Sequence, residues 1–305
     1  MFTYEMTAVG MEHEHSNTPC GDHVTTFQWG SVMAEVCAHG ADGSRMGGVE
    51  AQRLSGVMAQ FIAMYFRQLR EMSAEQVSGE LLRVIRSVQK DVAQETGADQ
   101  AELGCMVVAA AMDRRNHEYF GVNLGDGILL AREYNRGLIC TILPPEKRED
   151  GSAYLTTDPD EALRAHIRTV RGRAKDALMV SSDGLERTLW DSTGSRVSAT
   201  VGKLMEWVVE DPEGVRTEFA EAVYDLSLKD DAGVAVMVDR RKQLGAFEGK
   251  DPTQLCQRRR EARRYMAYLR YRDAGYSRSE AASRAGWQAA QISRNVAYLK
   301  SIGLD

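Results

Sequence analysis

Five aspartates lie at the margins of apolar, strand-like runs in distant parts of this 305-residue chain: Asp22, Asp42, Asp126, Asp183 and Asp231. Asp42, Asp126 and Asp183 are followed directly by glycine, which permits a sharp turn or the close approach of a cation to a backbone carbonyl. Carboxylates gathered at one point repel each other unless cations neutralise them. If the fold brings these strand ends together, the five aspartates therefore indicate a multi-metal hydrolytic site. Asp-Gly is also a common turn dipeptide, so the prediction depends on the whole set.

The composition is that of an ordinary soluble globular protein, with 43% hydrophobic and 27% charged residues. The chain is long enough for one large core plus a small appendix, or for two domains. The N-terminal segment has no secretory signal pattern, and no apolar run approaches the roughly 18 residues that span a bilayer. The five cysteines are odd in number and lack CxxC spacing, which argues against a disulfide framework and a zinc knuckle. We therefore expect a cytoplasmic protein.

Charge divides the chain into two parts. The net charge is −6 overall, but residues 240–305 contain fifteen Lys and Arg against six Asp and Glu. Such an asymmetry indicates two units with different partners. We predict a first domain over residues 1–243, a linker over 244–252, where two glycines and a proline occur, and a basic helical domain over 253–305.

The first domain is predicted to contain helices layered on β-sheet. Apolar residues recur at three- and four-residue steps over Leu54–Leu69 and Val77–Val92, which indicates two long helices. Two more helices are predicted later in the chain, over Thr200–Val208 and Arg216–Leu226. Proline-rich, acidic Pro144–Asp160 is predicted to be a surface flap. Strands are predicted from the remaining apolar runs: Phe2–Met11, two within His23–Ala38, Met106–Met112, His117–Leu124, Ile128–Tyr134, Ala177–Val180 and Val234–Val238.

Short motifs surround the five aspartates and follow one another along residues 5–239: Gly10-Met11-Glu12-His13 with Pro19-Cys20-Gly21-Asp22, Ala41-Asp42-Gly43 with Gly47-Gly48, Asn123-Leu124-Gly125-Asp126, Ser182-Asp183-Gly184-Leu185 and Lys229-Asp230-Asp231. In this order and spacing they resemble the motifs of the metal-dependent protein phosphatases of the 2C type, in particular a bacterial branch. The resemblance implies an α+β fold, a four-layer αββα sandwich, followed here by a small all-α domain.

The resemblance also implies a metal centre of two Mn²⁺ or Mg²⁺ ions that bridge a water molecule. Asp42 would bridge both ions, and the Gly43 carbonyl, Asp183 and Asp231 would complete the ligands. Asp22 would hold a metal directly or through water. Asp126 would correspond to a third, weaker metal position.

General chemistry leads to the same kind of centre, because all-oxygen ligands select hard divalent ions such as Mg²⁺ or Mn²⁺ over Zn²⁺. Two ions about 4 Å apart activate a shared water for in-line attack on phosphorus, and no nucleophilic side chain is needed. Consistently, the sequence has no P-loop, no GxSxG elbow and no Cys-x5-Arg phosphatase loop.

The chain departs from the family pattern at several positions. Gly21 stands where Gln or Glu usually precedes the first metal aspartate, and Ser44 replaces a histidine of the eukaryotic members. Gly127 and Ala232 replace a serine and an asparagine, without loss of a carboxylate. His13 is a candidate catalytic residue that would contact the phosphate, although a structural hydrogen-bonded histidine explains it equally well.

The C-terminal residues resemble a helix-turn-helix module. Ala282, Gly286 and Ile292 have the Ala-x3-Gly-x5-Ile spacing, and Ser277 with Glu280 forms a capping box. Gln288–Leu299 would be the recognition helix. Side chains that can read bases or bind phosphates are candidates for nucleic-acid contact: Arg278, Gln288, Gln291, Arg294 and Asn295. Protein docking and a merely stabilising appendix remain alternatives.

Together these observations predict a serine/threonine protein phosphatase that hydrolyses phosphoserine and phosphothreonine, with a C-terminal helical module for binding DNA or a protein partner. Expected partners are a phosphorylated protein, such as a serine/threonine kinase or its target, and no membrane. The alternative is a weak or inactive phosphatase-like domain that serves as the sensor of a DNA-binding regulator.

Overall fold

A computed structural model describes residues 2–10, 13, 16, 18–135, 139–191, 196–197, 230–239, 264, 267–268, 271–272 and 274–301. Eleven strands occur among these residues: β1 Phe2–Ala8, β2 Asp22–Trp29, β3 Val32–Gly40, β4 Cys105–Asp113, β5 Glu118–Leu124, β6 Ile128–Glu133, β7 Ile139–Leu143, β8 Arg168–Ser181, β9 Trp190–Asp191, β10 Arg196–Val197 and β11 Ala232–Val238. All the pairings between them are antiparallel.

The strands form two leaves of a sandwich that share the long strand β8. Its first half pairs with β5, and β4, β3 and β2 continue that leaf. Its second half pairs with both β11 and β6, and β1 and β7 lie beyond them. Apolar side chains of the two leaves meet in one buried cluster that includes Cys37, Val108, Leu178 and Met237. Burial of such surface contributes about 25 cal/mol per Å².

Seven α-helices lie among the described residues: α1 Gly47–Met64, α2 Phe66–Glu71, α3 Ala74–Thr96, α4 Asp160–His166, α5 Glu186–Leu189, α6 Arg278–Arg284 and α7 Ala289–Ser301. Helices α1 and α3 pack their apolar stripes on the β2–β5 leaf, in a buried cluster that includes Leu54, Ile62, Leu81 and Ile85. A capping box at Ser73 starts α3, and Gly97 in the left-handed conformation ends it.

The predicted α+β sandwich is confirmed in its two sheet leaves and the helical layer on one of them. The predicted helices over residues 200–208 and 216–226, which would form the fourth layer, lie outside the described residues, as does the linker over 244–252. Strand β8 is longer than predicted. The apolar run Ala177–Val180 is only the buried end of a 14-residue strand, whose first half alternates more polar residues.

Residues 274–301 form two helices joined by a turn. Ser277 caps α6 through the predicted capping box, and Gly286 adopts a φ of 73° in the turn before α7. Tyr268 and Trp287 stack with ring centroids 4.5 Å apart over the buried alanines of α6. Of the helices that the structure describes, none combines the length and apolar character needed to cross a membrane.

Candidate metal centre and adjoining cleft

Four of the five aspartates lie at strand ends that meet at one end of the sandwich. Asp22 begins β2 and is directly opposite His39, the second-last residue of β3. Asp126 lies in the tight turn between β5 and β6, and Asp183 follows β8 by two residues. Asp231 immediately precedes β11. Because β8 pairs with both β6 and β11, its end brings three of these carboxylates near each other.

His39 lies at the centre of this carboxylate group. Its Nδ1 atom is 3.0 Å from Oδ1 of Asp22 and 3.4 Å from Oδ1 of Asp183. Atoms of His39, Asp126 and Asp183 that can ligate a metal all lie within 4.8 Å of one another. Among the described residues, this is the group of histidine, cysteine and acidic side chains with the geometry to hold a metal ion.

Burial and mutual repulsion shape the protonation of these groups. Burial raises the pKa of Asp183 to about 7, and the neighbouring carboxylates act in the same direction against the opposing charge of His39. Burial also raises the pKa of Asp126. Burial alone would lower the pKa of His39, but the hydrogen bond to Asp22 and the surrounding negative charge outweigh it and raise the pKa to about 10.

Several oxygens of the group have no hydrogen-bond donor. They are buried atoms: Asp22 Oδ2, Asp126 Oδ1 and Asp183 Oδ1. Asp22 is 1% and Asp126 5% exposed, so solvent does not satisfy them freely. Buried carboxylate oxygens without donors are costly unless a cation binds them.

Asp231 has a different role, because its two oxygens are occupied by donors from the N-terminal segment. Oδ1 accepts from the backbone N–H of Gly10 at 2.8 Å, and Oδ2 accepts from the backbone N–H of Gly21. Nδ1 of His13 lies 2.8 Å from the same Oδ2. Asp231 therefore fastens the loop before β2 to the start of β11.

Asp42, the predicted bridging ligand, is exposed and does not belong to the group around His39. The reason is that β3 continues through Gly40, so the strand end lies at His39-Gly40 and the predicted Asp42-Gly43 pair lies in the following turn. Gly43 is also exposed in that turn, with a φ of 79°. Asp42 still lies near enough to His13 and Asp230 to raise their pKa values electrostatically.

Lys147 brings a second positive charge from the flap. Its Nζ atom lies 2.5 Å from Glu186 and 3.7 Å from Oδ2 of Asp126. A bridge between Lys147 and Ala153 shapes this part of the flap. Burial opposes the charge of Lys147, but the bond to Glu186 outweighs it and raises its pKa. The predicted third metal position at Asp126 is thus flanked by an ammonium group.

Close packing explains two glycines of the motifs. A Cβ atom at Gly184 would lie 1.9 Å from the backbone oxygen of Asp231, so a side chain cannot be accommodated there. A Cβ at Gly127 would lie 2.7 Å from Cγ1 of Val108 and 3.2 Å from the oxygen of Ser181. Gly127, where the family pattern has serine, is therefore required by the local packing of this chain.

A cleft of about 450 Å³ opens beside the carboxylate group. His13, Cys20, His23 and Asp42 line it, together with the N-terminal end of α1. The side chain of His13 is 30% exposed, and burial lowers its pKa less than Asp231 and the other nearby carboxylates raise it. An imidazole N–H at the cleft can contact an anionic group.

The family of this chain follows from its sequence profile, because the family described as Protein phosphatase 2C matches residues 9–223. The chain belongs to the protein phosphatase 2C family. No curated protein matches the sequence significantly. The family that the motifs predicted is confirmed over this region, which contains the motifs of Asp22, Asp42, Asp126 and Asp183.

Several solved structures share the fold. Serine/threonine phosphatase Stp1 from Staphylococcus aureus matches with a TM-score of 0.54 at 14% identity, over 78% of this chain and 94% of that protein. A bacterial serine phosphatase, solved as a point variant, matches with a TM-score of 0.54 at 14% identity, over 79% of this chain and 99% of that protein. A C. elegans sex-determining protein matches with a TM-score of 0.51 at 10% identity, over 78% of this chain and 64% of that protein. At these identities the similarity establishes the fold alone.

The residues present fit a divalent cation, as the family implies. Asp126 and Asp183 each have a buried carboxylate oxygen without a donor, and an oxygen of each lies within 4.8 Å of a ring nitrogen of His39; such a set is typical of a metal site. Asp42 lies outside this group, and the oxygens of Asp231 already accept three hydrogen bonds, whereas Asp230 lies near enough to His39, Asp42 and Asp22 for their charges to shift its pKa.

Sequence reasoning missed His39 and Lys147. A signal for His39 was present, since His39-Gly40 ends the apolar run Val32–Ala38 just as an aspartate and glycine end other strands. Lys147 gave no such signal, because only the folding of the flap brings it to Asp126.

The predicted nucleic-acid residues are placed on α6 and α7 as follows. Arg278, Gln288 and Arg294 are exposed, and Gln291 is partly exposed. Asn295 is only 8% exposed, so the expectation that it faces a groove is wrong. The helix turns Asn295 inward beside Val296, which packs against the buried aromatic cluster of this region.

Proposed function

We propose that this protein is a divalent-cation-dependent phosphatase that hydrolyses phosphoserine and phosphothreonine in proteins. The observation that carries the proposal is the convergence of buried carboxylates with unpaired oxygens at one end of a protein phosphatase 2C fold. A structural salt-bridge network would leave no such oxygens, because each would have a donor.

The residues of the site would have different roles. Asp126 and Asp183, with Asp22 beside them, would hold the cation. When bound, a divalent cation supplies an activated water and a Lewis acid for the phosphoryl oxygens. His13 would donate a hydrogen bond to the phosphate from the cleft wall. Asp231 keeps His13 and the Gly21 loop in position through its hydrogen bonds.

The cleft suits an extended phosphopeptide better than a small metabolite. It is open to solvent along the turn of Asp42-Gly43 and the exposed N-terminal end of α1, where Val49 is 41% exposed. A phosphorylated side chain can enter from this surface while the rest of the peptide stays outside. A serine/threonine kinase or its target is the kind of substrate we propose.

Hydrolysis of a phosphothreonine peptide by the full chain tests the proposal. We expect turnover with Mn²⁺ and none in EDTA. Asp183→Asn should lower kcat by at least about a hundredfold, because it removes a charged ligand of the cation. Full activity in EDTA would contradict the proposal.

Asp42→Asn is the matched comparison, because it makes the same chemical change at an aspartate outside the group. We expect a smaller loss than for Asp183→Asn. If the two variants lose activity equally, Asp42 is a ligand as the family resemblance implies, and the ligand set proposed here is wrong.

We also propose, as a second function, that the C-terminal helices bind nucleic acid and bring the phosphatase to its target. The exposed side chains of Arg278, Gln288 and Arg294 and the basic composition of residues 240–305 support this. A gel shift of the full chain with duplex DNA, repeated at rising salt, tests it. Binding that is absent or insensitive to salt would favour a protein-docking module instead. DNA binding without any turnover would favour an inactive sensor domain.

A further inference from the structure

We propose that the exposed face of α1 is a docking surface for the phosphoprotein substrate, and that it selects an apolar side chain several residues away from the phosphorylated one. The inference rests on the proposed function, because this surface begins at the cleft in which the phosphorylated residue would bind. Its occupant is a segment of the substrate chain that lies along α1 in an extended conformation.

The exposed face of α1 is almost without charge. Of the 18 residues of this helix only Glu50 and Arg53 are charged, and Glu50 is buried, so Arg53 is the one charged side chain on the exposed face. Helix α3 packs on the same leaf and has exposed charged residues along its length, among them Glu75, Lys90 and Glu95. A surface helix ordinarily presents a charged or polar face to water. The composition of α1 is therefore suited to contact with another chain.

Large apolar side chains form a stripe on this face. Val49, Val57 and Met64 are exposed and recur at steps of eight and seven residues, each close to two turns of helix. Tyr65, directly after α1, is also exposed. These four belong to the six large hydrophobic side chains that are exposed in the part of the chain that the structure describes. Exposed apolar surface concentrated in one place marks interaction sites, whereas singly scattered apolar residues do not.

A shallow depression of about 470 Å³ follows the stripe and is lined by Val49, Gln52, Arg53, Gly56, Val57 and Gln60. Val49 and Gln52 also line the cleft beside the carboxylate group, so the depression and the cleft join at the N-terminal end of α1. Gly56 leaves the floor open, since no atom lies within 4 Å of the position that its Cβ would take. A peptide that leaves the cleft over this end of α1 therefore continues onto the stripe.

The dimensions of α1 determine the spacing of the preferred residue. Val57 lies about 12 Å beyond Val49, because a helix rises about 1.5 Å per residue. An extended peptide covers this distance in about four residues, at about 3.3 Å each. The side chain that contacts Val57 is therefore at least about four residues away from the phosphorylated residue. Full burial of a leucine favours binding by about tenfold or more, so on this open surface we expect a preference of about fivefold.

Hydrolysis of a set of phosphothreonine peptides by the full chain with Mn²⁺ tests the inference. The long peptides consist of glycine and serine apart from one leucine, which is moved from about four to about eight residues from the phosphothreonine, on either side. A short peptide, which ends before it reaches Val57, is the reference for each enzyme. We expect leucine at one or two neighbouring positions on one side to raise kcat/KM by about fivefold over serine at the same position.

Two variants and a matched control locate the effect. Gly56→Leu fills the floor of the depression, and Val57→Ser removes an apolar contact; in both, the preference for leucine should fall below about twofold. Gly79→Leu is the control, because Gly79 in α3 has equally open surroundings but does not line the depression. It should retain the preference of the wild type. Far-UV circular dichroism of each variant confirms that it is folded.

The outcomes separate this inference from the proposed function. If the wild type hydrolyses the short peptide but gains nothing from leucine at any position, the inference is overturned and the phosphatase proposal stands. The same holds if Gly56→Leu and Val57→Ser both keep the preference. A wild-type dimer that Gly56→Leu converts to a monomer would also overturn the inference, because a second copy of the chain would then occupy α1. If no peptide is hydrolysed, the proposed function fails together with the inference.

Discussion

Asp231→Asn should destabilise this protein even when no metal is present. Asp231 is 2% exposed and accepts from two backbone N–H groups and from the His13 ring. An asparagine has the same shape but only one accepting oxygen. In either orientation of the amide, one side of the group presents an NH₂ to a backbone N–H, at Gly10 or at Gly21. That buried donor then has no acceptor.

The magnitude follows from these bonds. A buried donor left without a partner costs about 1–3 kcal/mol, and hydrogen bonds to charged groups contribute about 1.5–3 kcal/mol. We expect Asp231→Asn to lower the free energy of unfolding by about 2–5 kcal/mol. For a domain of this size each kcal/mol lowers Tm by about 2–4 °C.

Urea unfolding in EDTA, followed by tryptophan fluorescence, measures this difference. EDTA removes any contribution from a bound metal, so the result reports the hydrogen bonds alone. The matched control is Asp42→Asn, at an exposed aspartate, for which we expect a change within about 0.5 kcal/mol. If Asp231→Asn is as stable in EDTA as this control, Asp231 does not fasten the N-terminal loop and our account of it is refuted.

Three further predictions concern stability. Gly184→Ala should lower the free energy of unfolding by more than about 3 kcal/mol, because the added Cβ would lie 1.9 Å from the backbone oxygen of Asp231. The control Gly79→Ala has open space in α3 and should raise the free energy of unfolding by about 0.5–1 kcal/mol, as measured by urea unfolding. Ser73→Ala removes the capping box of α3 and should lower unfolding free energy by about 0.5–2 kcal/mol; an unchanged urea midpoint would contradict this. Because burial raises the pKa of Asp183 to about 7, the folded protein binds a proton that the unfolded chain releases near pH 4. The contribution of Asp183 to stability in EDTA is therefore lost as pH rises from about 4 to 7, and Asp183→Asn should gain stability relative to wild type over that range; a constant difference would refute this.

The sequence determined the layers of the fold. The three- and four-residue periodicity of α1 and α3, the apolar runs of the strands and the turn residues between them are local features, so they could be found without a structure. The ordered aspartate motifs also predicted the family, which the sequence profile confirms. The length of β8 was missed, because its exposed half is polar and lacks a clear apolar pattern.

Only the tertiary structure decided which side chains share the site. Asp42-Gly43 matches the expected motif, yet β3 ends at His39-Gly40, and the three-residue difference places His39 and not Asp42 among the carboxylates. Lys147 reaches Asp126 through the path of the flap. A motif gives only the residue types at neighbouring positions of the chain. Strand register and the paths of loops depend on packing and pairing between distant parts of the chain. The chemistry of the site depends on distances that only those contacts fix.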